Sequence, residues 1–356
     1  MKTAFICILA GLFISMMPIF VADAQEQTIP EWIKESMEYW VQGDTTDREF
    51  LDAITYLLDM GIIMVEPQPE IDELTIGFIP IEKAQSVSAQ ASAFESYLET
   101  KMAGVDIMIT IPTDYETIIE GMRFGHIDAA FMDTGPAWIA HERTGAEVIL
   151  AEVINGKINY QATVWALADD DSIQEISDLV GKRVAFTSIT GSSGFIRPMG
   201  TLVTEGYVEI KGNDIISLEK TLDESFESHT FAGGYKGALT LLLNKNVDVA
   251  FGSDIAPQKY LKPQEQSKLR AVTTLGPVPS HVFVTSPNLP DSTIKSLTDA
   301  LVDLNGMENN HILQDLYGAE ALLPTTTEMH IGEFGTFINV LTGLDQLILD
   351  KYNKSK

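Results

Sequence analysis

From Glu73 onward the chain alternates short β-rich runs with stretches of helical periodicity, and that alternation restricts it to open α/β sheets with helices on their faces. Leu74–Ile79 reads as a strand and Val87–Lys101 as a helix. Val105–Ile111 is the next strand, and Thr113-Asp114-Tyr115-Glu116 caps a helix that ends at Gly125. Ile127–Met132 is a strand, followed by a helix near Pro136, a favoured first-turn residue. Val148–Val153 and Gln161–Ala168 are further strands. After Asp169-Asp170-Asp171 the pattern restarts: a strand at Arg183–Phe186, a helix opening at Ser192, another helix over Gly234–Leu243 and a strand over Val247–Phe251. His126-Ile127-Asp128-Ala129-Ala130-Phe131 and Asn246-Val247-Asp248-Val249-Ala250-Phe251 form a weak repeat, as two similar lobes would. Ligands of open α/β sheets bind beyond the carboxyl ends of strands, which here are the loops after Ile79, Ile111, Met132, Phe186 and Phe251.

The 356 residues suffice for two such lobes with a substantial core. A formal charge of −28 argues against a nucleic-acid partner and against an anionic membrane surface, since Lys and Arg make most phosphate contacts. A small anion is still compatible, because free amides at a helix N-terminus hold one without basic side chains. The single cysteine, Cys7, leaves neither an intrachain disulfide nor a Cys-based metal site. Lys2, the apolar run Phe5–Val21 and Ala22-Asp23-Ala24 have the form of a secretory signal peptide spanning 1–24, with an uncleaved membrane anchor as the alternative. The expected location is therefore extracytoplasmic: secreted, periplasmic or at the cell surface. Residues 30–65 read as a separate two-helix module, with Thr46 and Glu49 at capping-box spacing. This segment resembles a short module that recurs beside secreted archaeal domains, where a packing or spacer role is the plain reading. Glu66-Pro67-Gln68-Pro69-Glu70 is a stiff linker.

Thr187-Ser188-Ile189-Thr190-Gly191-Ser192-Ser193-Gly194 follows a strand and opens a helix, so hydroxyls and amides converge where the helix dipole favours negative charge. Thr190, Ser192 and Ser193 are its candidate ligand contacts, against the plainer reading of a serine helix cap. The run lacks both the G-x-S-x-G spacing of a nucleophile elbow and the Gly-Lys-Thr/Ser of a Walker loop. Asp133-Thr134-Gly135-Pro136 offers Thr134 and free amides in a similar setting, or is simply a turn. Phe231-Ala232-Gly233-Gly234-Tyr235 is a Gly-rich helix entry and alone a weak signal. Six scattered histidines give no i, i+4 metal pair, and His281 is the one in a candidate loop. No metal and no cofactor are expected.

Asp114–Asp128 is close to D-Y-x-x-I-I-x-G-M-R-F-x-x-x-D, Glu175–Phe186 to S-L-x-D-L-x-G-K-R-V-A-F with Glu175 in place of the first serine, and Ser192-Ser193-Gly194-Phe195 with Pro198 to S-T-S-G-F and a later proline. Val247-Asp248-Val249-Ala250 fits the same pattern. Over roughly 73–323 the chain thus resembles the substrate-binding proteins of phosphonate/phosphite/phosphate ABC importers, a branch of the type II periplasmic binding proteins. The resemblance implies a two-lobed α/β fold of type II periplasmic-binding-protein form with a hinged cleft, preceded by the small helical module. Lobe one would be 72–160 with 280–350, and lobe two 161–279.

The resemblance carries Tyr115 and Tyr160 over as phenolic contacts and Ser192 and Ser193 as the hydroxyl loop, with Gly191 where the family has its first serine. Tyr235 replaces a histidine of the family, and His281 a loop carboxylate. The carboxylate that meets the amine of aminophosphonates falls at Ile255, with Asp254 beside it. The implied function is capture of a small phosphorus oxyanion (phosphonate, phosphite or phosphate) and delivery to an ABC permease, by a monomer and without catalysis. Two rivals are a sensory ligand-binding subunit and an enzyme on the same fold acting on a small phosphorylated compound. An enzyme would need a nucleophile or base with an activating partner, and no such pair is suggested.

Overall fold

The computed structural model describes residues 37–59, 71–78 and 84–351. The candidate signal peptide and the 66–70 linker lie outside the described residues. The chain divides into two compact units, Met1–Pro67 and Gln68–Lys356. In the first, α1 (Asp47–Asp59) is opened by a reciprocal cap: the Glu49 amide donates to Thr46 Oγ1 (3.3 Å) and the Thr46 amide to Glu49 Oε2 (3.1 Å). Trp40, in the helical residues 37–41, stacks on Phe50 at 4.9 Å and donates from Nε1 to Asp47 (2.8 Å), which fastens that segment to α1.

The second unit begins with β1 (Glu73–Phe78), α2 (Ala84–Lys101), β2 (Asp106–Thr110), α3 (Tyr115–Arg123), β3 (Ala129–Met132), α4 (Thr134–Thr144) and β4 (Glu147–Val153). It crosses into β5 (Asn159–Leu167), β6 (Arg183–Phe186), α5 (Arg197–Thr204), α6 (Ile215–Ser225), β7 (Ser228–Phe231), α7 (Tyr235–Leu243), β8 (Val249–Ser253), α8 (Ala256–Tyr260), α9 (Pro263–Gln266) and β9 (Leu269–Pro279). It then returns as β10 (Val282–Thr285), α10 (Asp291–Asp303), α11 (Asn310–Tyr317), β11 (Ala321–Pro324), α12 (Glu333–Val340) and α13 (Leu344–Asp350).

One sheet has the order β11-β4-β10-β3-β1-β2 and the other β7-β6-β8-β5-β9. In the first, β1 runs parallel to β2 and β3, while β10 is antiparallel to β3 and β4. In the second, β6 is parallel to β7 and β8, and β5 is antiparallel to β8 and β9. The central strands β3, β8 and β10 are buried at every position, as strands covered on both faces must be. Prolines 277 and 279 sit in β9, an edge strand where a missing N–H is tolerated. The two crossovers, 153–159 and 279–282, run side by side, since Asn159 pairs with Pro279 and Val282 with Ala151.

The weak repeat has a structural meaning. Asp128 donates its amide to Thr75 O (2.9 Å) and accepts the Thr75 N–H on its carboxylate (2.8 Å). Asp248 makes the same two bonds with Arg183 (2.8 and 3.0 Å). Each aspartate locks the central strand of its sheet to a neighbour.

A hydrophobic cluster runs through both sheets, including Ile118, Met132, Trp138, Val164, Phe186, Phe195 and Phe337. Helix α12 joins it from both sides. A Cβ on Gly335 would lie 2.1 Å from the Trp138 ring of α4, and a Cβ on Gly200 of α5 2.4 Å from Phe337 Cβ. The helices approach this closely only because side chains are missing there. Among the described residues no helix is long and apolar enough to cross a membrane.

Candidate functional site

Strand β6 delivers the chain to the hydroxyl loop at its carboxyl end. Residues Ser192–Ile196 form one wide π-type turn that continues into α5, so the helix that begins at Ser192 is not α-helical in its first turn. The amides of Phe195 and Ile196 both donate to Gly191 O (2.8 and 2.9 Å), and no side chain caps the turn. The serine-cap reading therefore fails here. The amides of Ser192, Ser193 and Gly194 precede the first bonds of the turn. Thr187 closes under the loop: its amide donates to Gly194 O (3.3 Å), and a Cβ at residue 194 would sit 2.0 Å from Thr187 Oγ1.

Ser193 is fully buried, and its Oγ lies 2.8 Å from the Tyr235 hydroxyl. Tyr235 is the first residue of α7 and stacks on Tyr260 at 6.0 Å. The Tyr160 phenol of β5 hydrogen-bonds to Tyr235 and Ser193, and burial pushes its pKa well up, so it is a neutral hydroxyl. Thr190 is buried and Ser192 half-buried in the same loop.

On the other sheet Asp114 caps α3 through the Thr117 amide (2.8 Å), which sets Tyr115 as the first helical residue. The buried Tyr115 hydroxyl accepts the Asp133 N–H at 3.1 Å, and burial raises its pKa as well. Thr134 faces the crossover: its Oγ1 donates to the carbonyls of Pro279 (3.0 Å) and Ser280 (3.2 Å). Asp254 ties the ends of β8 and β5 together, accepting the Gln161 amide on Oδ1 (3.2 Å) and donating its own amide to Gln161 O (3.0 Å).

His281 lies between two carboxylates. Its Nε2 is 2.6 Å from Asp133 Oδ1 and its Nδ1 is 3.2 Å from Glu152 Oε2. Burial opposes a charged imidazole, but the hydrogen bond and charge of Asp133 and the charge of Glu152 outweigh it and raise the His281 pKa. Burial likewise pushes Asp133 up, and His281 overcomes it to hold that carboxyl below its ordinary range. Glu152, 1 % exposed, is raised by burial.

The structure thus groups Ser193, Tyr235 and Tyr160, and separately Tyr115 and His281 around Asp133, whose charge is felt by Tyr160. Thr134 and Asp254 bond to backbone. Sequence reasoning missed Asp133, Glu152 and Lys351, the last close enough to influence both Asp133 and His281. A glutamate inside the apolar run Val148–Val153 was the available signal for Glu152. The buried Arg197 is engaged by Leu275 O (2.6 Å) and Glu333 (3.0 Å). A surface groove of about 510 Å³ beside β1, β2 and α3, lined by Met108 and Phe124 among others, contains none of these hydroxyls. Among the described residues no His/Cys/Asp/Glu group is placed to hold a metal ion.

The family described as ABC transporter, phosphonate, periplasmic substrate-binding protein matches residues 76–329. The chain belongs to this family. It is thus a phosphonate-type periplasmic substrate-binding protein of an ABC importer, and membership places it outside the cytoplasmic membrane. A Phosphate-import protein PhnD of Mycolicibacterium smegmatis is 29 % identical over 234 residues, 64 % of this chain and 70 % of that protein. The Phosphonates-binding periplasmic protein of Escherichia coli is 26 % identical over 258 residues, 69 % of this chain and 71 % of that one. The solved structure of XAC2383 from Xanthomonas citri bound to chloride ion shares the fold with a TM-score of 0.58 at 18 % identity, covering 76 % of this chain and 98 % of that chain.

Proposed function

We propose that this phosphonate-type binding protein captures a small phosphorus oxyanion (phosphonate, phosphite or phosphate) between its two sheets and delivers it to the membrane permease of its importer. The observation that carries this reading is the bond between Ser193 and Tyr235, with Tyr160 joined to both, at the start of a helix whose first amides are free. The hydroxyls and amides of this loop suit a compact, acceptor-rich anion, since each hydrogen bond to a charged group contributes about 1.5–3 kcal/mol. Tyr115 adds a donor from the opposite sheet when the lobes close about the side-by-side crossovers, with 72–160 and 280–350 moving as one lobe and 161–279 as the other. The named ligands of the Mycolicibacterium and Escherichia relatives, phosphate and phosphonates, support the same class.

Calorimetry against methylphosphonate, phosphite, phosphate and sulfate tests the reading. Saturable heat with at least one phosphorus oxyanion and none with sulfate is expected. No heat and no thermal shift with any phosphorus oxyanion would overturn it.

A further inference from the structure

His281 is more than a substitute for a lost carboxylate. Both of its ring nitrogens face carboxylate oxygens, Asp133 at 2.6 Å and Glu152 at 3.2 Å. With Asp133 and Glu152 both ionised, a neutral imidazole would turn its lone-pair nitrogen toward a carboxylate, and only the imidazolium presents an N–H to each. Glu152 is almost wholly buried, and the imidazole is the positive group directly against it. The Asp133 and His281 side chains keep 23 % and 33 % exposure, and the Asp133 charge reaches Tyr160.

We propose that His281 is a built-in counter-cation that fills the acidic end of the cleft, held between Asp133 and Glu152, and restricts the ligand to phosphorus oxyanions whose substituent carries no ammonium group. The inference rests on the oxyanion reading and adds the class of substituent. Two carboxylates beside a site for a small dianion would repel it, and would instead attract a ligand ammonium. The imidazolium offsets one of the two negative charges and so weakens both effects. It screens the phosphoryl group from Asp133 and occupies the place where an ammonium would pair. The other ionisable groups around the trio are Lys351 after α13, Tyr115 on α3, Tyr160 on β5, Tyr317 on α11 and His330, whose Nε2 lies 3.1 Å from Ser280 O. Lys351 adds to the positive side, lowering the pKa of both Asp133 and His281.

The test compares methylphosphonate with aminomethylphosphonate, which differ by one ammonium group, in the wild type, His281→Gln and Asp133→Asn. Histidine NMR, assigned against His281→Gln, runs in parallel. The expected result is at least tenfold preference for methylphosphonate in the wild type, a shift of tenfold or more toward aminomethylphosphonate in His281→Gln, and a shift the other way in Asp133→Asn. The His281 ring should be doubly protonated at pH 7. A preference unchanged by His281→Gln while methylphosphonate still binds, or a neutral His281 ring at pH 7, overturns this proposal alone. Absence of binding by every phosphorus oxyanion overturns the oxyanion reading along with it. If His281→Gln does not fold, the Asp133→Asn shift decides, and the His281 ring signals are assigned by the change that Asp133→Asn makes in them.

Discussion

Ser193 and Tyr235, 42 positions apart, meet hydroxyl to hydroxyl at 2.8 Å, joining the start of the π-type turn to the start of α7. Ser193→Ala removes one donor from the site and leaves Tyr235 its partner Tyr160. Anion affinity is expected to fall by about tenfold to a hundredfold, the equivalent of one charge-assisted hydrogen bond, with a small change in melting temperature. Calorimetry and a thermal melt check both halves; wild-type affinity would remove Ser193 from the site.

Tyr115→Phe behaves differently. Because the Tyr115 hydroxyl accepts the Asp133 amide, the variant leaves that N–H without its acceptor as well as deleting a candidate ligand donor. We expect a stability loss of about 1–3 kcal/mol in urea unfolding, together with weaker anion binding. If the proposed site is right and one ligand touches both residues, the double variant with Ser193→Ala should be less than additive in binding and additive in stability, since the two side chains have no direct contact.

The Asp133–His281 pair gives stability a pH signature. Asp133 has a lowered pKa, so its contribution is present above the ordinary carboxylate value and lost as pH falls through the folded one. The raised pKa of His281 makes its contribution complete below the ordinary imidazole value, about 6.5, and lost as pH rises through the folded value. Unfolding free energy should therefore decline from pH 6 toward pH 9 in the wild type. His281→Gln should flatten that decline; an equal slope in both would place the titration elsewhere.

Gly200→Ala should destabilise by more than 1 kcal/mol, an overpacking cost, because the added methyl would meet Phe337 Cβ at 2.4 Å. Chemical denaturation measures it, and an unchanged midpoint would mean that α5 and α12 can separate freely.

Local features of the fold were legible because local chemistry decides them. The Thr46–Glu49 cap, the Asp114 cap and strand β6 appear where short-range patterns put them, and strands β3 and β8 lie within two residues of their expected bounds. The repeated x-Asp-x-Ala units proved to be twin strand locks. Strand β9 was not legible: Gly276, Pro277 and Pro279 interrupt its pattern, and only its edge position makes them tolerable. Strand β7 is four mostly exposed residues with no alternation to detect. In the site, the hydroxyl loop was visible as a contiguous string. The Asp133–His281–Glu152 trio was not, because its members come from three distant segments and only the sheet order β4-β10-β3 places them together.

Helix α12 has a consequence for the order in which this chain acquires its shape during synthesis. Both sheets hold all their strands once Pro324 has been made, yet the faces of α4 and α5 that α12 covers, at Trp138 and Gly200, stay wet until residues 333–340 follow. A nascent chain paused between those points has its hydrogen-bonded framework but an open apolar seam across both halves. The last helices act as a late fastener, so a truncation just before Glu333 yields a sticky, chaperone-dependent product rather than a slightly shorter binding protein.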